Sequence, residues 1–143
     1  MSTENRNSLS TISRIRENAN RFITEQLARN GAEGLAPSHG DVLAVLYRYE
    51  DVTMKDIADT IRRTKPTVTV LIDKLERFGF VYREKSRNDS RITYIRLTDQ
   101  GKRFEPVFEK ISKELNALLY QQFTAEEAGI LDALLKKMEN NLH

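Results

Sequence analysis

Two short stretches hold the side chains whose types and spacing suit chemistry with a polyanion. The first is Thr64-Lys65-Pro66-Thr67-Val68-Thr69-Val70. Thr64 is a good helix N-cap, and Pro66 falls in the first turn, where its missing N–H costs nothing. Val68, Leu71, Ile72, Leu75 and Phe78 recur at helical spacing and form a buried stripe. Lys65, Thr67, Thr69, Val70, Asp73, Lys74 and Arg77 are then left facing out. Lys65 can donate to guanine O6 and N7 or to a phosphate, and Thr67 and Thr69 can bond base edges or touch a thymine methyl. The helix N-terminus itself favours a phosphate. Thr is a mediocre helix former, so three of them on one exposed turn need a local reason. The same residues also fit an ordinary amphipathic helix with a Thr-rich surface.

The second stretch is Ser86-Arg87-Asn88-Asp89-Ser90-Arg91, preceded by Arg83 and Lys85. It is polar and lies between two β-prone runs, so it reads as the tip of a hairpin. A finger of this kind can track a phosphate backbone and place an Arg in a narrow minor groove. Asp89 stands two residues before Arg91, where a carboxylate can hold the guanidinium through a fork-like pair. The alternative is a solvated hairpin with an incidental ion pair. Exposed pairs are worth only about 0–1 kcal/mol, so stability is a poor reason to place one there.

Charge and composition narrow the classes. The 143 residues carry a net charge of +2. From Lys55 to Arg103 there are 13 Lys/Arg against 7 Asp/Glu, whereas the rest of the chain has 10 against 14. A basic middle between acidic flanks is a footprint of polyanion binding. The absence of Cys excludes disulfides, thiolate metal sites and cysteine nucleophiles. A His-based metal site or triad would have to depend on His39 or His143. No Gly-rich phosphate loop or paired carboxylates stand out, so no catalytic residue, cofactor or metal is expected, and an enzyme is not. No apolar run approaches the roughly 20 residues a membrane span needs. Met1 to Leu9 holds no apolar signal core, so a cytoplasmic location without membrane contact is expected.

The elements that must position these stretches follow from caps and periodicity. Ser8 or Ser10 is expected to cap a first helix bearing Ile12, Ile15, Ala19, Phe22, Ile23 and Leu27 and ending near Asn30-Gly31. After a loop with Gly31, Gly34 and Pro37, Ser38 is expected to cap a second helix. Thr53-Met54-Lys55-Asp56 has capping-box spacing and opens a short helix. The Thr64 helix runs to Phe78 and stops at Gly79. Phe80–Lys85 and Ile92–Leu97 read as strands. Thr98 can cap a long helix that Pro106 should kink or break. Thr124-Ala125-Glu126-Glu127 is a second capping box, opening a last helix. The fold class is mainly α with a small β-hairpin wing. A short helix, a tight turn, a longer helix and a hairpin in that order make a winged helix-turn-helix. The turn lacks the Gly often found there. The last helices carry more apolar residues than one small domain can cover, which marks an interface.

From Leu43 to Gly101 the chain resembles the MarR-type winged-helix regulators. The matching residues are Met54-Lys55-Asp56-Ile57-Ala58, Pro66-Thr67-Val68-Thr69, Leu71-Ile72-Asp73-Lys74-Leu75-Glu76, Gly79-Phe80-Val81, Ser86 to Arg91 and Leu97-Thr98-Asp99-Gln100-Gly101. The Asp-x-Arg pair of the wing and the Leu-Thr-x-x-Gly start of the next helix are the more specific pieces. The resemblance implies a homodimer on a palindromic operator in double-stranded DNA, usually as a repressor. It implies a winged helix-turn-helix region at 38–101 and a helical dimerisation region at 8–30 and 104–143. It places Thr64 to Val70 on the recognition helix, Arg91 on the minor-groove Arg of the wing and Asp89 on its partner. Val70 departs from relatives that carry Arg there, which shifts readout toward thymine methyl contact or weakens base contact. The resemblance also implies a small phenolic or anionic effector, with Phe22, His39, Tyr47 and Phe108 as candidate walls. Each of those four equally reads as core packing or, for His39, a helix cap. A winged module used for protein docking, without operator binding, is the rival reading.

Overall fold

A computed structural model of the chain describes residues 6–142. The signal-peptide reading of Met1 to Leu9 falls partly outside them, and His143 lies outside them altogether. The elements in order are α1 (Ser8–Arg29), α2 (Pro37–Arg48), β1 (Val52–Thr53), α3 (Met54–Ile61), α4 (Lys65–Arg77), β2 (Val81–Lys85), β3 (Thr93–Leu97), α5 (Asp99–Arg103), α6 (Glu105–Leu119) and α7 (Ala125–Asn140). The fold is mainly helical with one small antiparallel sheet, ordered β1-β3-β2. The hairpin is in the expected place, with Val81 opposite Leu97 and Lys85 opposite Thr93. Strand β1 is an addition to the sequence reading. Its two residues pair with Ile95 and Tyr94 of β3, so only a contact more than forty residues away makes them a strand.

Local hydrogen bonds explain the helix starts. Thr53 Oγ1 accepts from the Asp56 N–H, and Asp56 returns the bond to the Thr53 N–H. Thr124 and Glu127 do the same at the start of α7. Two expected caps are corrected. Ser8 is already helical, and Asn7 stands at the N-cap with no side-chain bond. Ser38 is the second residue of α2, because Pro37 takes the first position that its fixed φ suits. The cap of α2 is Ala36, and its N–H donates to His39 Nδ1 at 2.9 Å. Pro106 breaks the long helix as expected. The break falls at Phe104, and Pro106 becomes the second residue of α6.

The described residues form two compact units, one up to Ile111 and one from Ser112. The first holds the core: Leu35, Leu43, Ile57, Val68, Ile72, Leu75 and Val81 are buried, together with Leu27 of α1 and Ile95 of β3. Phe80 stacks on Phe104 with ring centroids 5.1 Å apart. At the start of α5, Thr98 Oγ1 donates to the Gly79 carbonyl and accepts from the Gly101 N–H. A side chain at Gly101 would run into the Phe80 carbonyl oxygen. That is a physical reason for the Leu-Thr-x-x-Gly sequence here.

The second unit pairs the end of α6 with α7. Tyr120 and Phe123 meet edge to face, with centroids 5.5 Å apart. No residue of α7 is buried. Leu118, Leu119, Ile130, Leu134, Leu135 and Met138 are exposed.

Candidate nucleic-acid interface

The helix-turn-helix is built from α3, the turn after it and α4. Arg62 closes α3 in the left-handed region, at φ 57°. This is the conformation a Gly would favour, and it explains how the turn forms without one. The Arg63 N–H then bonds the Ala58 carbonyl at 3.0 Å, and Thr64 begins α4 as N-cap. Val68, Leu71, Ile72 and Leu75 bury one side of α4 against the core. Thr64, Lys65, Thr67, Thr69, Val70 and Arg77 are exposed on the other. Lys74 is half-buried, with its Nζ 5.9 Å from the centre of the Phe78 ring. It stands at the margin of the exposed face.

The hairpin tip is held by its own polar atoms. Ser86 Oγ accepts from the N–H groups of Asn88 and Asp89. The Ser86 N–H donates to the Ile92 carbonyl at 2.9 Å and closes the tip. Asp89 accepts from the Arg91 backbone N–H, from Arg91 Nε and from Arg91 Nη2, all at 3.0 Å. This is a two-pronged carboxylate–guanidinium fork with a third bond to the main chain. Hydrogen bonds from Arg91 hold the Asp89 carboxyl below its usual pKa, and Asp89 raises that of Arg91. The Arg91 side chain is nevertheless 89% exposed. Its face away from Asp89 is open to a ligand. Lys65, Lys85 and Arg87 are exposed too, and pair with no carboxylate among the described residues.

Arg83 has a different setting. Its guanidinium reaches Asp73 at 2.6 Å and Glu76 at 3.4 Å, both on α4. The pairing ties the wing to the outer helix. Sequence reasoning grouped Arg83 with the contact residues and missed the brace. The available signal was a pair of carboxylates three residues apart on one helix, beside an Arg on the following strand.

The four effector candidates all have places in the first unit's packing. Phe22 and Phe108 pack against the core. Tyr47 lies 5.4 Å from Phe108, ring to ring, and donates its hydroxyl to the Gly101 carbonyl at 2.8 Å. His39 is buried and accepts the Ala36 bond. Burial, then the charge of Lys74, push its pKa below the ordinary value. Of the four, Tyr47 alone lines a groove of about 520 Å³ that also takes in Tyr49, Tyr82, Arg96 and Lys102. Among the described residues no three His, Asp or Glu are grouped to hold a metal ion, and no helix is long and apolar enough to cross a membrane.

A capped helix-turn-helix whose second helix is exposed beside a basic hairpin defines a winged helix-turn-helix protein. Comparison with known proteins gives the family. The MarR family model matches residues 35–93. The HTH-type transcriptional regulator YkoM of Bacillus subtilis, itself uncharacterised, is 31% identical over 125 residues, which cover 87% of this chain and 81% of the relative. YdgJ of the same organism is 29% identical over 110 residues, covering 77% and 67%. Among solved structures, a Staphylococcus aureus MepR–DNA complex superposes with a TM-score of 0.84 at 29% identity, covering 93% of this chain and 96% of that one. A MarR transcriptional regulator of Methanosarcina mazei gives 0.78 at 26% identity, covering 93% and 94%. The chain belongs to the MarR family of winged helix-turn-helix transcriptional regulators.

Proposed function

We propose that the chain is a dimeric repressor that binds a palindromic operator in double-stranded DNA. The carrying observation is the pairing of an exposed α4 N-terminus with a wing whose Arg91 is held by Asp89 yet almost wholly open. In this reading Thr64, Lys65, Thr67, Thr69 and Val70 meet the major groove. Lys74, Lys85 and Arg87 meet phosphates, and Arg91 enters the minor groove. Arg83 positions the wing rather than touching DNA. The MepR–DNA complex supports the reading, because a relative with this fold was solved on DNA.

Self-association is supported by the apolar residues that α6 and α7 leave in water, since such patches mark interfaces. We assign residues 8–30 and 104–143 to the dimerisation region and 38–101 to the DNA-binding region. A two-fold dimer reads half-sites about one helical turn apart, roughly 34–36 Å. We further propose relief by a small phenolic or anionic effector. The groove beside Tyr47 suits a phenolic effector better than the packed Phe22, His39 and Phe108, since Tyr49 and Tyr82 present exposed rings there with Lys102 as an exposed cation, while Arg96 is already paired with Asp51 and Glu84.

The test is a footprint on DNA upstream of this protein's own coding sequence, at two salt concentrations. A protected inverted repeat with half-sites one turn apart supports the proposal. Absence of binding to any duplex would favour the protein-docking reading.

A further inference from the structure

The hydroxyl hydrogens on the outer face of α4 are largely committed. Thr69 Oγ1 donates to the Lys65 carbonyl oxygen at 3.0 Å, the back-bond of a helical Thr to the preceding turn. Thr64 Oγ1 and Thr67 Oγ1 lie 3.0 Å apart and share one hydrogen bond. Thr64 Oγ1 also accepts from the Thr67 N–H at 3.4 Å. A threonine hydroxyl has one hydrogen to give, so the three threonines leave a single free one. Lys65 adds a point charge on a flexible stem, without the fork that fixes an Arg on guanine.

The same face is rich in methyl groups. Val70 is 66% exposed and contributes nothing to the core. Pro66 and Thr69 are exposed as well. Pro66 stands three residues before Thr69 and four before Val70, the two spacings that bring side chains together on a helix, so Pro66 joins the other two into an apolar patch at the N-terminal half of α4. The major-groove edge of guanine presents acceptors only, and calls for fixed donors that this patch lacks. Thymine presents a C5-methyl group there.

Resting on the DNA-binding reading above, we infer that Val70 is a specificity-determining residue. With Pro66 and Thr69 beside it, it packs on a thymine C5-methyl group. The operator half-site therefore carries an A·T pair at that step, chosen by shape and apolar contact rather than by a donor to guanine.

The experiment enriches duplexes from a random pool with the full chain. Each thymine of the resulting half-site is then replaced in turn by uracil, which removes the C5-methyl group alone. At one or two positions uracil should weaken binding, on the order of fourfold for the loss of one buried methyl-sized group. Val70→Ala should abolish that sensitivity, and an unchanged circular dichroism spectrum and denaturant midpoint show that the variant is folded, as expected for a side chain 66% exposed. Equal affinity for thymine and uracil at every position overturns the inference, as does a uracil effect that Val70→Ala leaves intact. Failure to enrich any duplex is a different result: the DNA-binding reading then fails, and this inference falls with it.

Discussion

Arg91 combines two properties that a merely structural residue would not need together. It is fixed at one end by three bonds to Asp89, and its side chain is 89% exposed. Arg91→Ala is expected to weaken duplex binding several-fold while leaving stability nearly unchanged, as for other surface changes. Binding titrations at fixed salt and a denaturant midpoint check the two halves. Gly101 gives the opposite pattern. Its missing side chain lets the Phe80 carbonyl pass, so Gly101→Ala should cost about 1–3 kcal/mol of stability by overpacking, read as a lower denaturant midpoint. His39 adds a pH dependence. Its neutral ring accepts the Ala36 N–H, and burial and Lys74 lower its pKa below 6.5. Between the lowered folded value and 6.5 the unfolded chain binds more protons, so stability must fall as pH drops through that window. A stability–pH curve from pH 7 to 5 should show the fall, and His39→Ala should flatten it.

At the scale of elements, Arg83 links β2 of the wing to Asp73 and Glu76 of α4. Arg83→Ala should lower operator affinity while leaving the salt slope of unrelated-duplex binding unchanged, since no phosphate contact is removed. A slope reduced by about one unit would show instead that Arg83 meets a phosphate. Most elements are legible in the sequence because their signals are local. Thr53 with Asp56, Thr64 alone, Thr98 with Gly101 and Thr124 with Glu127 each act over three residues. Pro37 reads as loop from sequence, but its preference for the first helical turn moves the cap of α2 to Ala36, against the pull of Ser38. What stays hidden is non-local. β1 exists only by pairing with Ile95 and Tyr94, and the Arg83 brace spans ten residues to Asp73. The Tyr47–Gly101 bond crosses 54 residues. Likewise, the exposed face of α4 is legible from periodicity, but the partners of its threonine hydroxyls are not.

For the whole molecule, charge and apolar surface are segregated along the chain. The basic middle carries α4 and the wing, while the described residues from Ser112 onward expose Leu118, Ile130, Leu134 and Met138. If the proposed second copy covers that surface, stability will depend on concentration. Leu134→Glu should yield a monomer by sedimentation, with affinity for a two-half-site operator reduced far more than affinity for unrelated duplex. Retention of a dimer would move the interface elsewhere.

The most direct measurement of the central claim is equilibrium binding to duplex DNA across a series of salt concentrations, with an enriched sequence and an unrelated one side by side. Contact of several Lys and Arg residues with phosphates predicts that log K falls with log[salt] at a slope of about −0.9 per neutralised phosphate on both duplexes. Base reading by α4 predicts that the enriched sequence binds about a thousandfold or more tightly at every salt concentration. A shallow slope with no preference between the two duplexes would contradict the assignment of α4 and the wing as a DNA-reading surface.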